Sequence, residues 1–353
     1  MGGLVESIIG WRSNALTDII QRKQDHIELA LDAGSQILSQ GRQLKDYRLP
    51  HRALPEVNLA DVKTELRVFE KTLKAPFFIA SMTGGLAEGA KINRHLAEAA
   101  QELGLAMGLG SQRVTLEHPE TLSSFQVRDV APDILLLANL GAVQLNLGYG
   151  PKACREVVES VGADGLYLHL NSLQEAVQAG GDTAFAGLAA RIAQVVKELD
   201  FPVLVKECGN GLDAKSARRL RDSGVQGLEV SGHGGTSWGW IEAQRHPDAR
   251  LKRLGQTFAQ WGVPTPQAIQ QCRKAWPNSF LIASGGVRSG LDAAVAIALG
   301  ADAVSIAQPL LKPALESTQA VIDELQIWLA EFRIAMFCAG AKDLRALATL
   351  DLN

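Results

Sequence analysis

The stretch His169-Leu170-Asn171-Ser172-Leu173-Gln174-Glu175 sets five polar groups within seven residues, directly after the apolar run 165–168. A glutamate is a hard oxygen ligand, and Mg²⁺ is typically held by one or two carboxylates together with substrate phosphates. His169, Asn171 and Gln174 add neutral hydrogen-bonding groups suited to an anion or to a group flanking an alkene. Lys206 ends a second apolar run, Val203-Leu204-Val205. A buried ammonium needs an anionic partner or a lowered pKa. A phosphate, a carboxylate or an anionic reduced flavin would suit it, and so would a salt bridge within the fold, for instance to Glu229. Gly285-Gly286 follows the run Phe280–Ala283 and Ser284, with Arg288 two residues further on. Glycines after a strand let backbone N–H groups approach a phosphate, and an arginine adds charge and a planar donor fork; the same pair could also simply turn the chain. Ser231 to Trp238 is rich in glycine and hydroxyls, so it can line a planar cofactor and donate to phosphate.

Each of these groups stands where an apolar run ends, which makes the runs the elements that must position them. Strands are expected at Pro76–Met82, Leu105–Leu109, Ile134–Ala138, Gly165–Leu168, Val203–Val205, Gly227–Val230, Phe280–Ala283 and Ala303–Ile306. Helices are expected at Ile92–Leu103, within Pro119–Val127, and at Pro151–Val161, Phe185–Leu199, Asp213–Arg221, Thr265–Ala275 and Leu291–Leu299, with a C-terminal helix over Pro313–Cys338. Strand–helix alternation argues an α/β parallel sheet, and eight units over roughly 240 residues argue a closed (β/α)₈ TIM barrel, with an open doubly wound sheet as the competing arrangement. The polar strand ends Ser81-Met82-Thr83, Ser111, Asn139, His169, Lys206, Ser231 and Ser284 would then share one mouth. Active sites of this fold sit there, often with a phosphate after the last two strands, where Gly285-Gly286 falls.

Outside the barrel, Leu4–Asp32 reads as a helical arm carrying Arg22, Lys23 and His26 on neighbouring turns, and residues 68–73 as a short antiparallel approach. The expected division is an arm over residues 1–66, packed on a barrel over 67–353 that includes the C-terminal helix. Ser231–Gly262 is long for a βα connection, which points to function.

Lys and Arg total 35 against 38 Asp and Glu, a net charge of −3, so no global field favours nucleic acid or an anionic membrane. Any grip on phosphate must be local. Cys154, Cys208, Cys272 and Cys338 form no CxxC pair and read as buried thiols of a reducing compartment. Without an 18-residue apolar run or a signal-peptide core, a cytoplasmic protein is expected.

In chain order, Arg22-Lys23-Gln24-Asp25-His26, Ser81-Met82-Thr83-Gly84-Gly85, Gly110-Ser111-Gln112-Arg113, Asn139-Leu140-Gly141, the His169–Glu175 stretch, Val205-Lys206-Glu207, Ser231–Trp238 and Ser284-Gly285-Gly286-Val287-Arg288 together resemble the type 2, FMN-dependent isopentenyl-diphosphate isomerases. The resemblance implies interconversion of isopentenyl and dimethylallyl diphosphate. It implies FMN held by Ser81, Met82, Thr83, Ser111, Asn139, Lys206, Ser231, Thr236, the turn Gly285, Gly286, Val287, Arg288, and Ala307-Gln308. It implies a diphosphate gripped by Arg22, Lys23, Ser111, Gln112, Arg113, His169 and Asn171. Gln174 would lie near the isoprene carbons and act with Lys206 in catalysis, and Glu175 would bind Mg²⁺. Reduced FMN, supplied through NAD(P)H, would act as acid and base without net redox change. A homo-oligomer, tetramer or octamer, is expected.

Protonating an unactivated alkene produces a tertiary carbocation that water would trap, so such a site must be dry and its proton donor fixed. Lys206 beside the flavin's pyrimidine edge would stabilise the anionic reduced ring. His233-Gly234-Gly235 also resembles the FMN-dependent 2-hydroxy-acid oxidases, where the histidine is a base and a following arginine binds the substrate carboxylate. Thr236 follows the glycine pair here, so that arginine is missing.

Overall fold

In the computed structural model, which describes residues 16–37 and 40–353, the eight apolar runs close into one parallel barrel. A two-stranded antiparallel hairpin, β1 (Leu66–Val68) and β2 (Lys71–Leu73), precedes it. The barrel strands are β3 (Phe77–Ile79), β4 (Ala106–Gly108), β5 (Leu136–Gly141), β6 (Gly165–Leu170), β7 (Val203–Glu207), β8 (Gly227–Glu229), β9 (Phe280–Ala283) and β10 (Ala303–Ile306), which pairs back onto β3. The helices are α1 (Leu16–Leu31), α2 (Ala87–Leu103), α3 (Arg113–Glu117), α4 (Pro151–Glu159), α5 (Ser172–Val177), α6 (Leu188–Glu198), α7 (Ala214–Asp222), α8 (Trp238–Arg245), α9 (Ala249–Phe258), α10 (Thr265–Ala275), α11 (Gly290–Ala298), α12 (Gln308–Glu316), α13 (Thr318–Cys338) and α14 (Leu344–Ala348).

Side chains alternate across a strand, so each strand feeds two cores. Phe77, Ile79, Leu136, Ala138, Leu166 and Leu168 point outward and pack under the helices. Phe78, Leu137, Tyr167, Leu204, Ile282 and Ala303 point inward and fill the barrel with an apolar layer. Val68 and Leu73 of the hairpin belong to that inner layer, and Phe69 meets Phe280 edge-to-face at the start of β9. The hairpin therefore plugs the N-terminal end of the barrel. One pleat step above the apolar layer, the inward positions become Asn139, His169, Lys206, Glu229, Ser284 and Ser305, all of which line a cavity at the C-terminal mouth.

Several expectations need correction. The C-terminal helix is two helices: Ser317 is extended (φ −166°, ψ 165°) and its side chain caps α13 by accepting from the Ala320 N–H, while Pro313 lies inside α12. The helix expected within Pro119–Val127 is a 3₁₀ segment, Pro119–Ser124, preceded by α3. The connection 231–262 is largely helical, holding α8 and α9. The arm helix is seen as α1, and the part of the expected helix before residue 16 lies outside the described residues. Cys154 and Cys272 are buried, but Cys208 and Cys338 are only partly so, and Cys208 lines the cavity.

Close approach of α11 to α13 depends on Gly290. A Cβ there would overlap the Trp328 carbonyl oxygen and stand 2.6 Å from the Phe332 nitrogen, both of them backbone that cannot swing aside. Gly290→Ala is expected to lower stability by about 1–3 kcal/mol, the usual cost of overpacking, as read by urea unfolding followed by circular dichroism.

Candidate active site

The cavity has a volume of about 280 Å³ and draws on every part of the mouth and on α1. Its floor is polar and crowded. Lys206 donates from Nζ to the Glu207 carbonyl oxygen at 3.0 Å. Burial opposes its charge, but the acids Cys208, Glu229 and Glu207 around it outweigh burial and raise its pKa; with the Cys208 thiol itself pushed up to about 12, the two carboxylates are the charges that act at neutral pH, and Lys206 is an ammonium. Ser231 carries a left-handed backbone (φ 42°), unusual for a residue with a side chain, and its N–H is held by Ser284 Oγ at 3.1 Å. Ser81 Oγ, Glu229 Oε2 and Ser305 Oγ are buried without a hydrogen-bond partner among the described residues.

The His169–Glu175 stretch is a strand end running into a helix rather than a loop. His169 still belongs to β6, and Gln174 and Glu175 belong to α5. His169 Nδ1 lies 2.7 Å from Asn139 Oδ1. Burial, assisted by the Lys206 charge, lowers its pKa to about 3, so the ring is neutral and donates Nδ1–H to Asn139. Asn171 donates to Glu175 Oε1 at 2.8 Å, and the Asp182 N–H donates to Glu175 Oε2 at 2.6 Å. Burial nonetheless raises the Glu175 pKa.

A buried carboxylate absent from the sequence-based expectations, Glu242 on α8, ties α1 to this wall. Its Oε1 accepts from His26 Nε2 at 2.8 Å and from Gln174 Nε2 at 3.1 Å, and its Oε2 accepts from Arg245 at 3.0 Å. With its amide nitrogen toward Glu242, Gln178 donates to the same carboxylate at 3.0 Å and accepts from Arg22 at 3.1 Å. Arg245 also pairs with Asp25 of α1 at 3.0 Å. Burial pushes the Glu242 pKa up, but the charges around it win and hold it at about 2. His26, through its hydrogen bond and nearby ring, and then the guanidinium groups of Arg245 and Arg22 keep Glu242 ionised, while burial lowers the pKa of His26 itself.

Lys23 reaches from the arm to the Gly84 carbonyl oxygen, and crowding plus the Arg22 charge lower its pKa to about 7. Arg113 is committed to two carboxylates, Glu117 at 3.0 Å and Asp182 at 2.7 Å. Gln112 is displaced from its expected role. Its side chain is buried, donating to the Val157 carbonyl oxygen at 2.9 Å and accepting from the Asn139 N–H at 3.0 Å, and it does not line the cavity. It braces β5 instead.

On the opposite side, Gly285 and Gly286 adopt positive φ (94° and 71°). Side chains there would collide with the backbone of Gly232 and Gly234, so the turn locks against that loop. Val287, Arg288, Ala307 and Gln308 complete this wall at the start of α12, and Arg288 donates to the Gly234 carbonyl oxygen at 3.2 Å. A glycine turn, a helix N-terminus and an arginine make a seat for a phosphate. With the unpartnered Ser81 and Ser305 hydroxyls at the floor, the residues fit a flavin mononucleotide. Ser81, Met82, Thr83, Ser111, Asn139, Lys206, Ser231 and Thr236 all line the same cavity. Among the described residues no three His, Cys, Asp or Glu side chains converge as a metal cage.

His233 is not among the residues lining the cavity; its Nε2 faces Gln260 Oε1 at 3.5 Å. Among the described residues, the histidine that would be the base of a hydroxy-acid oxidase thus lies outside the cavity lining, and Thr236 stands where the sequence motif would have its arginine.

Comparison with known proteins gives the class first. Residues 148–353 match the family described as FMN-dependent dehydrogenase, and the fold is that of mandelate oxidase, with a TM-score of 0.65 at 20% identity over 97% of this chain and 99% of that one. The barrel is thus an FMN-dependent flavoprotein. An isopentenyl-diphosphate delta-isomerase from Synechococcus sp. is 49% identical over 94% of this chain and 96% of its own length. One from Deinococcus radiodurans is 48% identical over 92% and 95%. The chain belongs to the isopentenyl-diphosphate delta-isomerase family.

The sequence carried one sign of Glu242: an acid inside the aromatic run Trp238-Gly239-Trp240-Ile241. Gln178 and Asp182 gave none. Replacing Glu242 by Gln removes one partner of a buried charge cluster, which costs about 3–5 kcal/mol. The Glu242 pKa is depressed on folding, so its contribution is complete above the unfolded value near 4.5 and fades as pH falls toward 2. Urea unfolding is expected to show the Glu242→Gln deficit in full at pH 7 and shrinking between pH 5 and 3.

Proposed function

We propose that this chain interconverts isopentenyl and dimethylallyl diphosphate by moving a proton onto one alkene carbon and another off its neighbour. The observation that supports this reading is two anion seats in one cavity: the Gly285–Arg288 turn on one wall, and Arg22 and Lys23 of the arm on the other. The first suits the phosphate of FMN and the second the substrate's diphosphate, with Ser111, Arg113, His169 and Asn171 beside it. Bound reduced FMN, with NAD(P)H as the reductant, supplies the acid and base. Glu175 takes Mg²⁺ together with diphosphate oxygens and water, as a single carboxylate suffices for that hard ion.

The chain's own groups do the rest. Charge on the diphosphate anchors a small apolar tail that could not orient itself. Gln174, held by Glu242, positions the reacting carbons. Met82 and Trp238 line the cavity with apolar surface, and α1 covers the mouth, which keeps water from a tertiary cation. Lys206 favours negative charge on the ring beside it.

We place the reaction in the cytoplasm, in keeping with four free cysteines. No helix among the described residues is long and apolar enough to cross a membrane. Ile327 and Ile334 of α13 and Leu291 of α11 are 56%, 50% and 51% exposed, which supports assembly into a homo-oligomer, a tetramer or octamer.

The test is to reduce the FMN-loaded protein anaerobically, add Mg²⁺ and isopentenyl diphosphate, and follow dimethylallyl diphosphate by NMR. Product without stoichiometric NAD(P)H consumption is expected; stoichiometric consumption, or no product, defeats the reading. Lys23 adds a pH signature. Below about pH 7 its ammonium is already formed, whereas above it the substrate must bind a neutral amine or recharge it. KM is expected to rise from pH 7 to 8.5 by up to about tenfold per unit, and Lys23→Met should raise KM at pH 6.5 and flatten that rise.

A further inference from the structure

We propose that Glu229 is the fixed counter-charge of Lys206, so that the two present a net neutral pair to the flavin and thereby set how readily the reduced ring releases its N1 proton. This rests on the reading of the cavity as an FMN site with Lys206 at the ring's pyrimidine edge.

Lys206 and Glu229 are register partners on the adjacent parallel strands β7 and β8, so their side chains enter the barrel from the same level and face. Both line the cavity floor, at 6% and 1% exposure. Ser284 clamps the carboxylate: its Oγ accepts from the Ser231 N–H at 3.1 Å, which leaves its proton to donate to Glu229 Oε1 at 2.9 Å. Glu229 Oε2 makes no well-formed hydrogen bond among the described residues, with the Tyr167 phenol as the neutral group beside it. A carboxylate this buried with one bare oxygen is costly unless a nearby charge offsets it, and Lys206 is the cation whose pKa responds to it.

The other groups around the ammonium leave this role to Glu229. Burial pushes the Cys208 thiol up to about 12, so it is uncharged at neutral pH. His169 is neutral, with a pKa near 3. Burial, with Glu229 beside it, holds the Tyr167 phenol well above its ordinary range. Glu207 is a carboxylate, but its Oε2 is taken by three backbone N–H groups, those of Gly209, Asn210 and Gly211. Among these groups Glu229 is the one that points a clamped, partly bare carboxylate at the floor.

The consequence is a sign that can be measured. An uncompensated Lys206 would hold the reduced ring as an anion, and an uncompensated Glu229 would make it hold its proton; the pair keeps N1 between these limits. The experiment titrates the absorbance of anaerobically reduced, FMN-loaded protein against pH. Glu229→Gln is expected to lower the N1 pKa by about one unit, Lys206→Met to raise it, and the double variant to return it close to the parent value. Equal pKa values in the parent and Glu229→Gln, or a double variant that keeps the Lys206→Met value, would overturn the proposal. Where a single variant does not retain flavin, recovery of flavin binding in the double variant supports the pairing, and failure of all three variants defeats it. A parent protein that takes up no FMN would instead defeat the reading of the cavity itself.

Discussion

A closed parallel barrel forces every second side chain of each strand into one shared interior, and that constraint decides where each polar group of this site stands. Leu137, Tyr167, Leu204, Ile282 and Ala303 fill the interior at one level. Two residues later the same strands present Asn139, His169, Lys206, Ser284 and Ser305. A one-residue shift of any strand would turn its polar group outward beneath a helix, where neither water nor a partner awaits it. Register of the barrel and composition of the site are therefore one requirement. The hairpin at the other end, with Val68 and Leu73 inserted below, closes the interior there and leaves the mouth as its polar opening.

The mouth carries two buried charge systems that differ in kind. Lys206 and Glu229 sit on neighbouring strands whose spacing is set by the sheet, so their separation is a property of the barrel. Glu242 gathers groups from α1, α5 and α8, and so holds only when the arm is docked. The first system lies wholly within one sheet. The second joins α1, the element that carries Arg22 and Lys23, to α5, the element that carries Gln174.

Much of this was legible in the sequence because strand ends announce themselves. An apolar run that stops at Asn139, His169 or Lys206 marks the place where a parallel strand leaves the packed interior, and each of these residues lies where the runs place it. Glycines at 285 and 286 were legible as a turn, but a further reason for them was not: they clear the backbone of the 232–234 loop. Gln112 was expected at the diphosphate from the family resemblance alone, and its side-chain partners, the Val157 carbonyl and the Asn139 N–H, come from residues distant in sequence that only tertiary structure brings together. Glu242 stayed hidden because its partners come from positions 26, 174, 178 and 245, a convergence that only tertiary structure makes. The break at Ser317 was hidden too, since an Ala- and Leu-rich stretch has helical periodicity on both sides of a single extended residue.

The same barrel serves oxidases, and its fold cannot decide between hydride removal and proton movement. Local chemistry can. An oxidase needs a base poised at a carbon bearing hydrogen and a cation for the substrate carboxylate. Here the histidine after β8 is turned to Gln260, and Thr236 occupies the place of the arginine. Around the cavity stand instead Gln174, Asn171, neutral His169 and the deeply acidic Glu242, with Lys23 of α1 as the group that titrates near neutral pH. For flavin-assisted movement of protons, the chemistry of the family, the charge balance that Lys206 and Glu229 are proposed to set is then the variable that the protein controls.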